Sequence, residues 1–143
     1  MPRVFVLNGV NLASLGERRP EVYGEQTLTD IERLLRSAFP DVELEFRQTD
    51  HEGELVAWIH EAADSDGLVL NPGAWNHYAY AIRDALEVAA VPKVEVHLSN
   101  VHEREGWRRV SVISPAVDAV IAGMGAYGYR AAVGYVLGAG ARG

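Results

Sequence analysis

The sequence contains no cysteine. That absence excludes disulfides, thiolate metal sites and thiol nucleophiles, and it suits a cytoplasmic protein. No apolar run is long enough to cross a bilayer. The amino terminus, Met1-Pro2-Arg3-Val4, runs straight into an apolar strand pattern without the features of a signal peptide. Positive charge is scarce: 13 Lys and Arg face 20 Asp and Glu, a net charge of -7. Nucleic acid and anionic membrane are therefore disfavoured as main partners. An anionic small molecule remains admissible, because Arg18 and Arg19 adjoin in one loop. The 143 residues hold no linker, repeat or low-complexity segment, and their length suits a single domain, residues 1–143, with a real core.

What is present is a strict alternation of strand and helix signals. Short apolar runs at 4–7, 67–70, 93–97 and 117–122 predict strands. Residues 42–47 alternate apolar and charged side chains and predict a more peripheral strand. Helical patterns span 27–38, 53–63, 76–89 and 127–137. In the first of these, Leu28, Ile31, Leu35 and Ala38 share one face and Pro40 ends the helix. Thr29 and Glu32 have capping-box spacing there, although Thr27 is an equally good start. This order implies an α/β fold with a parallel sheet covered on both faces. Five strands make a flavodoxin-like doubly wound sheet with order 2-1-3-4-5. Its active crevice gathers the loops after the first, third and fourth strands.

Three polar clusters fall at those strand ends. After the first strand comes an unusually long segment, residues 8–24, with Asn11, Arg18, Arg19 and Tyr23. Such connections usually have about 2–6 residues, and longer ones tend to be lids or binding loops. The third strand runs into Asn71-Pro72-Gly73-Ala74-Trp75-Asn76-His77, and the fourth carries Glu95-Val96-His97-Leu98-Ser99-Asn100 and continues to Arg108-Arg109. Each has a plainer explanation. Asn71-Pro72-Gly73 is ordinary turn chemistry, His97 with Glu95 can be a structural pair, Tyr23 can pack beneath its loop, and the arginines can be a solvated face. Their joint occurrence at one sheet edge favours a site.

Other chemistries fit poorly. Glu95, His97 and His102 offer metal ligands, but their spacing matches no helical His-Glu-x-x-His motif, so no metal is expected. No Gly-x-Ser-x-Gly elbow follows a strand. Gly123-Met124-Gly125-Ala126-Tyr127-Gly128 matches Gly-x-Gly-x-x-Gly, but no later strand supplies the acidic ribose ligand; close helix–strand packing is the expected use of those glycines. Asn8-Gly9-Val10-Asn11 resembles neither a flavin phosphate loop nor the acidic site of a phosphoreceiver, so no cofactor is expected.

The chain resembles type II 3-dehydroquinate dehydratases along essentially its whole length. The matching elements are Leu7-Asn8-Gly9-x-Asn11-Leu12, Leu15-Gly16 through Tyr23-Gly24, His51-Glu52-Gly53-Glu54-Leu55, Asn71-Pro72-Gly73-Ala74, Arg83-Asp84-Ala85-Leu86, Glu95 through His102, and residues 121–129. The resemblance implies dehydration of 3-dehydroquinate to 3-dehydroshikimate by anti elimination through an enolate. It implies Tyr23 as base, Arg18 as the cation favouring its phenolate, and Asn11 as a stabiliser of the enolate through a water. It implies His97 as general acid oriented by Glu95. Asn71, His77, Asp84, Leu98, Ser99 and Arg108 would hold the substrate. It also implies trimers assembled into a dodecamer, with Asp84 crossing to a neighbouring subunit.

The implied chemistry is physically sensible. Tyrosine titrates near about 10, too high for a base at neutral pH. Lowering it by about 2 units requires roughly 2.7 kcal/mol of differential interaction, within reach of one close guanidinium. Histidine titrates in the range a general acid needs. Lys93 is the only lysine and lies inside a strand, so an imine mechanism has no suitable amine. The sequence departs from the family pattern at Val10, at Asn76-His77-Tyr78-Ala79, at Val110 and at Tyr127. None of these removes an implied catalytic group.

Overall fold

The computed structural model describes residues 1–17, 19–23 and 25–142; the side chains of Pro20, Tyr23 and residues 140–142 are outside that description. Five parallel strands form one sheet: β1 (Arg3–Asn8), β2 (Glu43–Gln48), β3 (Gly67–Asn71), β4 (Lys93–His97) and β5 (Ala119–Ala122). Their order is β2-β1-β3-β4-β5, as expected from the alternating pattern. The helices are α1 (Pro20–Tyr23), α2 (Leu28–Ala38), α3 (Glu52–Ala62), α4 (Tyr80–Val88) and α5 (Tyr127–Arg142).

Strand alternation divides the core in two. Phe5 and Leu7 of β1, with Leu68 and Leu70 of β3, pack against Leu55 and Ile59 of α3 and Ile82 and Leu86 of α4. The intervening Val4, Val6 and Val69, with Val94 and Val96 of β4, face Ile31 and Leu35 of α2 and Tyr129, Val133 and Val136 of α5. Burying both faces of β3 explains its unbroken apolar run. β2 is one of the two edge strands: Arg47 lies between Glu45 and Glu61, with its guanidinium over the rings of Phe5 and Trp58.

Several boundaries differ from the sequence pattern, each for a local reason. The capping box of α2 is Thr27 with Asp30, not Thr29 with Glu32: the Asp30 amide donates to Thr27 Oγ1 and the Thr27 amide to Asp30 Oδ2. The helix expected over 76–89 is split. Residues 73–77 form a 3₁₀ turn, and α4 begins only at Tyr80, after a non-helical Ala79. Tertiary bonds take Asn76 and His77 elsewhere: the Val112 amide donates to the Asn76 carbonyl, and His77 bonds the Val110 carbonyl. β5 starts at Ala119 because residues 114–116 make a 3₁₀ turn that ends at Val117. α5 runs on to Arg142, past the expected end at 137.

Glycines set the close approaches at the sheet edge. A Cβ on Gly128 would sit 3.3 Å from Ile121 and 3.4 Å from Val96, so the Gly123–Gly128 run serves helix–strand packing. At Gly9, directly after β1, a Cβ would lie 2.5 Å from the Pro72 carbonyl oxygen and 2.9 Å from the Trp75 ring. The ends of β1 and β3 therefore meet only because Gly9 has no side chain. Gly9→Ala is expected to destabilise the protein by about 1–3 kcal/mol, the usual cost of overpacking. Urea unfolding checks this: a lowered midpoint at unchanged m value is predicted, and an unchanged midpoint contradicts the close approach.

Candidate functional site

The carboxyl ends of β1 and β3 are tied by a buried hydrogen-bond chain. Tyr129 of α5 donates its phenolic proton to Asn8 Oδ1 at 2.7 Å and accepts from Asn71 Nδ2 at 2.8 Å. Asn8 Nδ2 donates to the Arg47 carbonyl on β2, and the Gly73 amide donates to Asn71 Oδ1. Burial pushes the Tyr129 phenol far above its ordinary range, with only partial offset from Asn71, so the group stays protonated. Neither Asn8 nor Tyr129 carries this role in the sequence motifs. Only Asn8 left a signal, as a polar side chain closing the apolar run of residues 4–7.

Asn11 stands just past this tie. Its backbone is left-handed, with φ 66°, a conformation asparagine tolerates better than most residues. Its amide donates to Asp50 Oδ1 at 2.8 Å, and Gln48 Nε2 braces the same oxygen and the Gly9 carbonyl. Beyond it the loop is anchored by two buried leucines, Leu12 and Leu15. Arg18 lies outside the described residues. The backbone of Tyr23 closes the short α1 turn, and its side chain lies outside the described set.

β4 supplies the deepest polar pair. Glu95 and His97 alternate onto one face, away from Val94 and Val96. His97 Nε2 lies 2.5 Å from Glu95 Oε2, and the carboxylate is 1% exposed. Ser114 donates to the other oxygen, Oε1, at 2.8 Å. A buried carboxylate without such partners would be strongly destabilising. Because an ionised carboxylate only accepts hydrogen bonds, the contact holds a proton on Nε2 of the imidazole and leaves Nδ1 for other chemistry.

The third wall comes from residues 101–110. Arg108 Nε donates to Glu105 at 2.6 Å, and its guanidinium stacks 4.1 Å over the Trp107 ring. Trp107 in turn meets His77 edge to face, with ring centroids 4.9 Å apart. His77 Nδ1 lies 2.6 Å from the Val110 carbonyl. Burial lowers the pKa of His77 below the usual imidazole value, the Val110 bond opposes this, and nearby Arg108 adds to it. His77 is thus neutral near pH 7, with Nδ1 donating to Val110.

These walls enclose a cleft of about 570 Å³, its open side included. Asn11, Asn71, His77, His97, Leu98, Ser99 and Arg108 all line it, together with Arg104, which motif reading did not single out. Glu95 sits behind His97. Asp84 does not join the cleft: it is exposed on α4. Two guanidinium groups, those of Arg104 and Arg108, line this recess of a chain with net charge -7, and Arg108 is paired with Glu105. Among the described residues, no three His, Cys, Asp or Glu side chains are grouped to hold a metal ion. No helix of the described residues is long and apolar enough to cross a membrane.

Comparison with known proteins agrees with this arrangement. Residues 2–137 match the family model described as dehydroquinase class II. A 3-dehydroquinate dehydratase of Bacillus subtilis is 52% identical over 141 residues, covering 96% of this chain and 95% of the relative. The crystal structure of a type II dehydroquinase from Propionibacterium acnes superposes with a TM-score of 0.91 at 42% identity, covering 95% of this chain and 96% of that one. A type II dehydroquinase from Butyrivibrio crossotus gives 0.92 at 40% identity, with 95% and 97% covered. With a matching family model over nearly its full length and relatives at this identity, the chain belongs to the class II dehydroquinase family.

Proposed function

We propose that the protein, acting as one catalytic domain, converts 3-dehydroquinate to 3-dehydroshikimate and water in the shikimate pathway. The observation that carries this is the buried Glu95–His97 pair at the floor of a cleft walled by Arg104, Arg108 and His77, in a chain of this family.

Tyr23, as phenolate favoured by Arg18, removes the proton from C2. The electrons of the broken C–H bond move onto the C3 oxygen as an enolate. Asn11, presented by its left-handed backbone, stabilises that oxygen through a water. The enolate then collapses, the C1–O bond breaks, and His97 gives its proton to the departing hydroxyl, which leaves as water. Departure opposite to the abstracted proton makes the elimination anti. Glu95 orients the imidazole and stabilises its charged form. The product carries a double bond conjugated with the ketone, and no metal or cofactor is needed.

Binding falls to the remaining cleft residues. Arg108 pairs with the substrate carboxylate, and Leu98 and Ser99 line its path. The Asn71 amide has two donors and two acceptor sites; with one of each used internally, one of each remains for a substrate hydroxyl. Neutral His77 presents Nε2. Asp84 acts on the cleft of a neighbouring subunit in a dodecamer of trimers, which its exposed place on α4 supports, as do the exposed Tyr78 and Tyr80 beside it. The absence of cysteine fits a cytoplasmic site of action.

Incubation of the purified protein with 3-dehydroquinate is expected to generate the absorbance of a conjugated enone. Tyr23→Phe is expected to lower kcat by about 10²–10⁴-fold, the scale of a lost general base, with substrate binding retained. A variant that keeps most of its kcat would show the base to be wrongly named. His77 generates a second expectation. Its folded pKa is depressed, so its contribution to stability is full above the ordinary value near 6.5 and is lost as the pH falls through the depressed folded value. The stability difference between wild type and His77→Asn in urea unfolding should shrink as the pH is lowered from about 8 to 5. A difference independent of pH would contradict a neutral, Val110-bound imidazole.

A further inference from the structure

The sequence motifs stop at Glu95, but the hydrogen-bond chain does not. Behind the carboxylate lie Ser114, Ser111 and Asn76 in series. Ser114 Oγ is 2.8 Å from Glu95 Oε1 and 2.7 Å from Ser111 Oγ, and Ser111 Oγ is 2.6 Å from Asn76 Oδ1. The backbone amides of Ile113 and Ser114 both point at Ser111 Oγ, at 3.2 and 2.8 Å.

Counting protons fixes the direction of this chain. A serine hydroxyl has one proton and two lone pairs. Ser111 gives its proton to Asn76 Oδ1, which as an amide oxygen can only accept. Its two lone pairs take the amides of Ile113 and Ser114. Nothing remains on Ser111 to accept the Ser114 hydroxyl proton, so that proton goes to Glu95 Oε1. Glu95 thus accepts on both oxygens at once, from Ser114 on one side and His97 on the other, and its plane is fixed by two contacts rather than one.

Asn76 anchors the far end. Its carbonyl accepts from the Val112 amide, while its neighbour His77 bonds the Val110 carbonyl. The segment carrying both serines is therefore stitched to the turn that follows β3.

We propose that Ser114 is a positioning residue for the dehydration: Ser111, itself bonded to Asn76, holds the Ser114 backbone amide, and the Ser114 hydroxyl holds the Glu95 carboxylate in the plane that aims His97 at the leaving group. It does not touch substrate. The proposal rests on His97 being the general acid, as argued above.

Three variants grade the donor: Ser114→Thr keeps a hydroxyl, Ser114→Cys keeps only a weak donor, and Ser114→Ala has none. All three suit a half-buried position in a short turn. The expected result in Ser114→Ala is a kcat lowered about tenfold, the scale of one hydrogen bond to a charged group, with KM within about twofold. Ser114→Cys falls between, and Ser114→Thr retains most of the rate. A second readout is independent of turnover. In the substrate-free protein, the downfield NMR resonance of the proton between His97 Nε2 and Glu95 should move further downfield in Ser114→Ala, because the charge on Glu95 concentrates on the oxygen facing His97. It should return in Ser114→Thr. An unmoved resonance, a rate not restored by threonine, or a loss expressed only in KM overturns the proposal. Loss of turnover in the wild type would instead refute the activity, while the resonance would still report on Ser114.

Discussion

Tyr129 makes the interaction on which the sheet edge depends. Its phenol is fully enclosed, donates to Asn8 at the end of β1, and accepts from Asn71 at the end of β3. Because burial keeps it protonated, it serves as donor and acceptor at any working pH. A buried amide left without its partner costs about 1–3 kcal/mol, and this one phenol satisfies two. The Gly9 amide bonds the Asn71 carbonyl across the same junction, and the Thr49 amide bonds the Asn8 carbonyl from the side of β2. Three strand ends and α5 are thereby held in one arrangement.

Everything assigned to the cleft is built outward from that junction. Asn11 follows Gly9 by two residues, with its strained backbone braced by Asp50 and Gln48. Asn71 belongs to both the junction and the cleft. β4 lies beside β3, which sets His97 across from Asn11 and Asn71 with Glu95 buried behind it. The wall of Arg108, Trp107 and His77 is attached through the Val110 carbonyl rather than through the sheet. The cleft therefore has a floor made by strand ends and a wall held by loop-to-loop bonds.

Much of this was legible in the sequence. Unbroken apolar runs gave the strands, because a parallel sheet is buried on both faces, and the polar residues interrupting the pattern at Asn11, Asn71, Glu95 and His97 marked the edge where the cleft lies. What the sequence did not disclose depends on contacts distant along the chain. Residues 76–89 have helical periodicity throughout, yet bonds from Val110 and Val112 hold Asn76 and His77 in a 3₁₀ turn. Tyr129 reads as one more apolar residue of a helix until its partners at Asn8, 121 residues away, and Asn71 are seen. Ser114 is equally silent, since its partner Glu95 lies on a strand and nothing in its neighbourhood indicates a carboxylate. Asp84, expected to reach substrate across a subunit boundary, is exposed on α4 and lines no part of this cleft.

The phenol of Tyr129 holds the strand ends on which the cleft is built. Native-state hydrogen exchange in Tyr129→Phe tests this role most directly, because the change deletes one oxygen and leaves the ring in place. Exchange at the Gly9 and Thr49 amides is expected to speed up by about tenfold or more, the effect of an unpaired buried polar group, while the interior of β1 changes far less. Unchanged protection at both amides, or a uniform loss across the whole sheet, would contradict it.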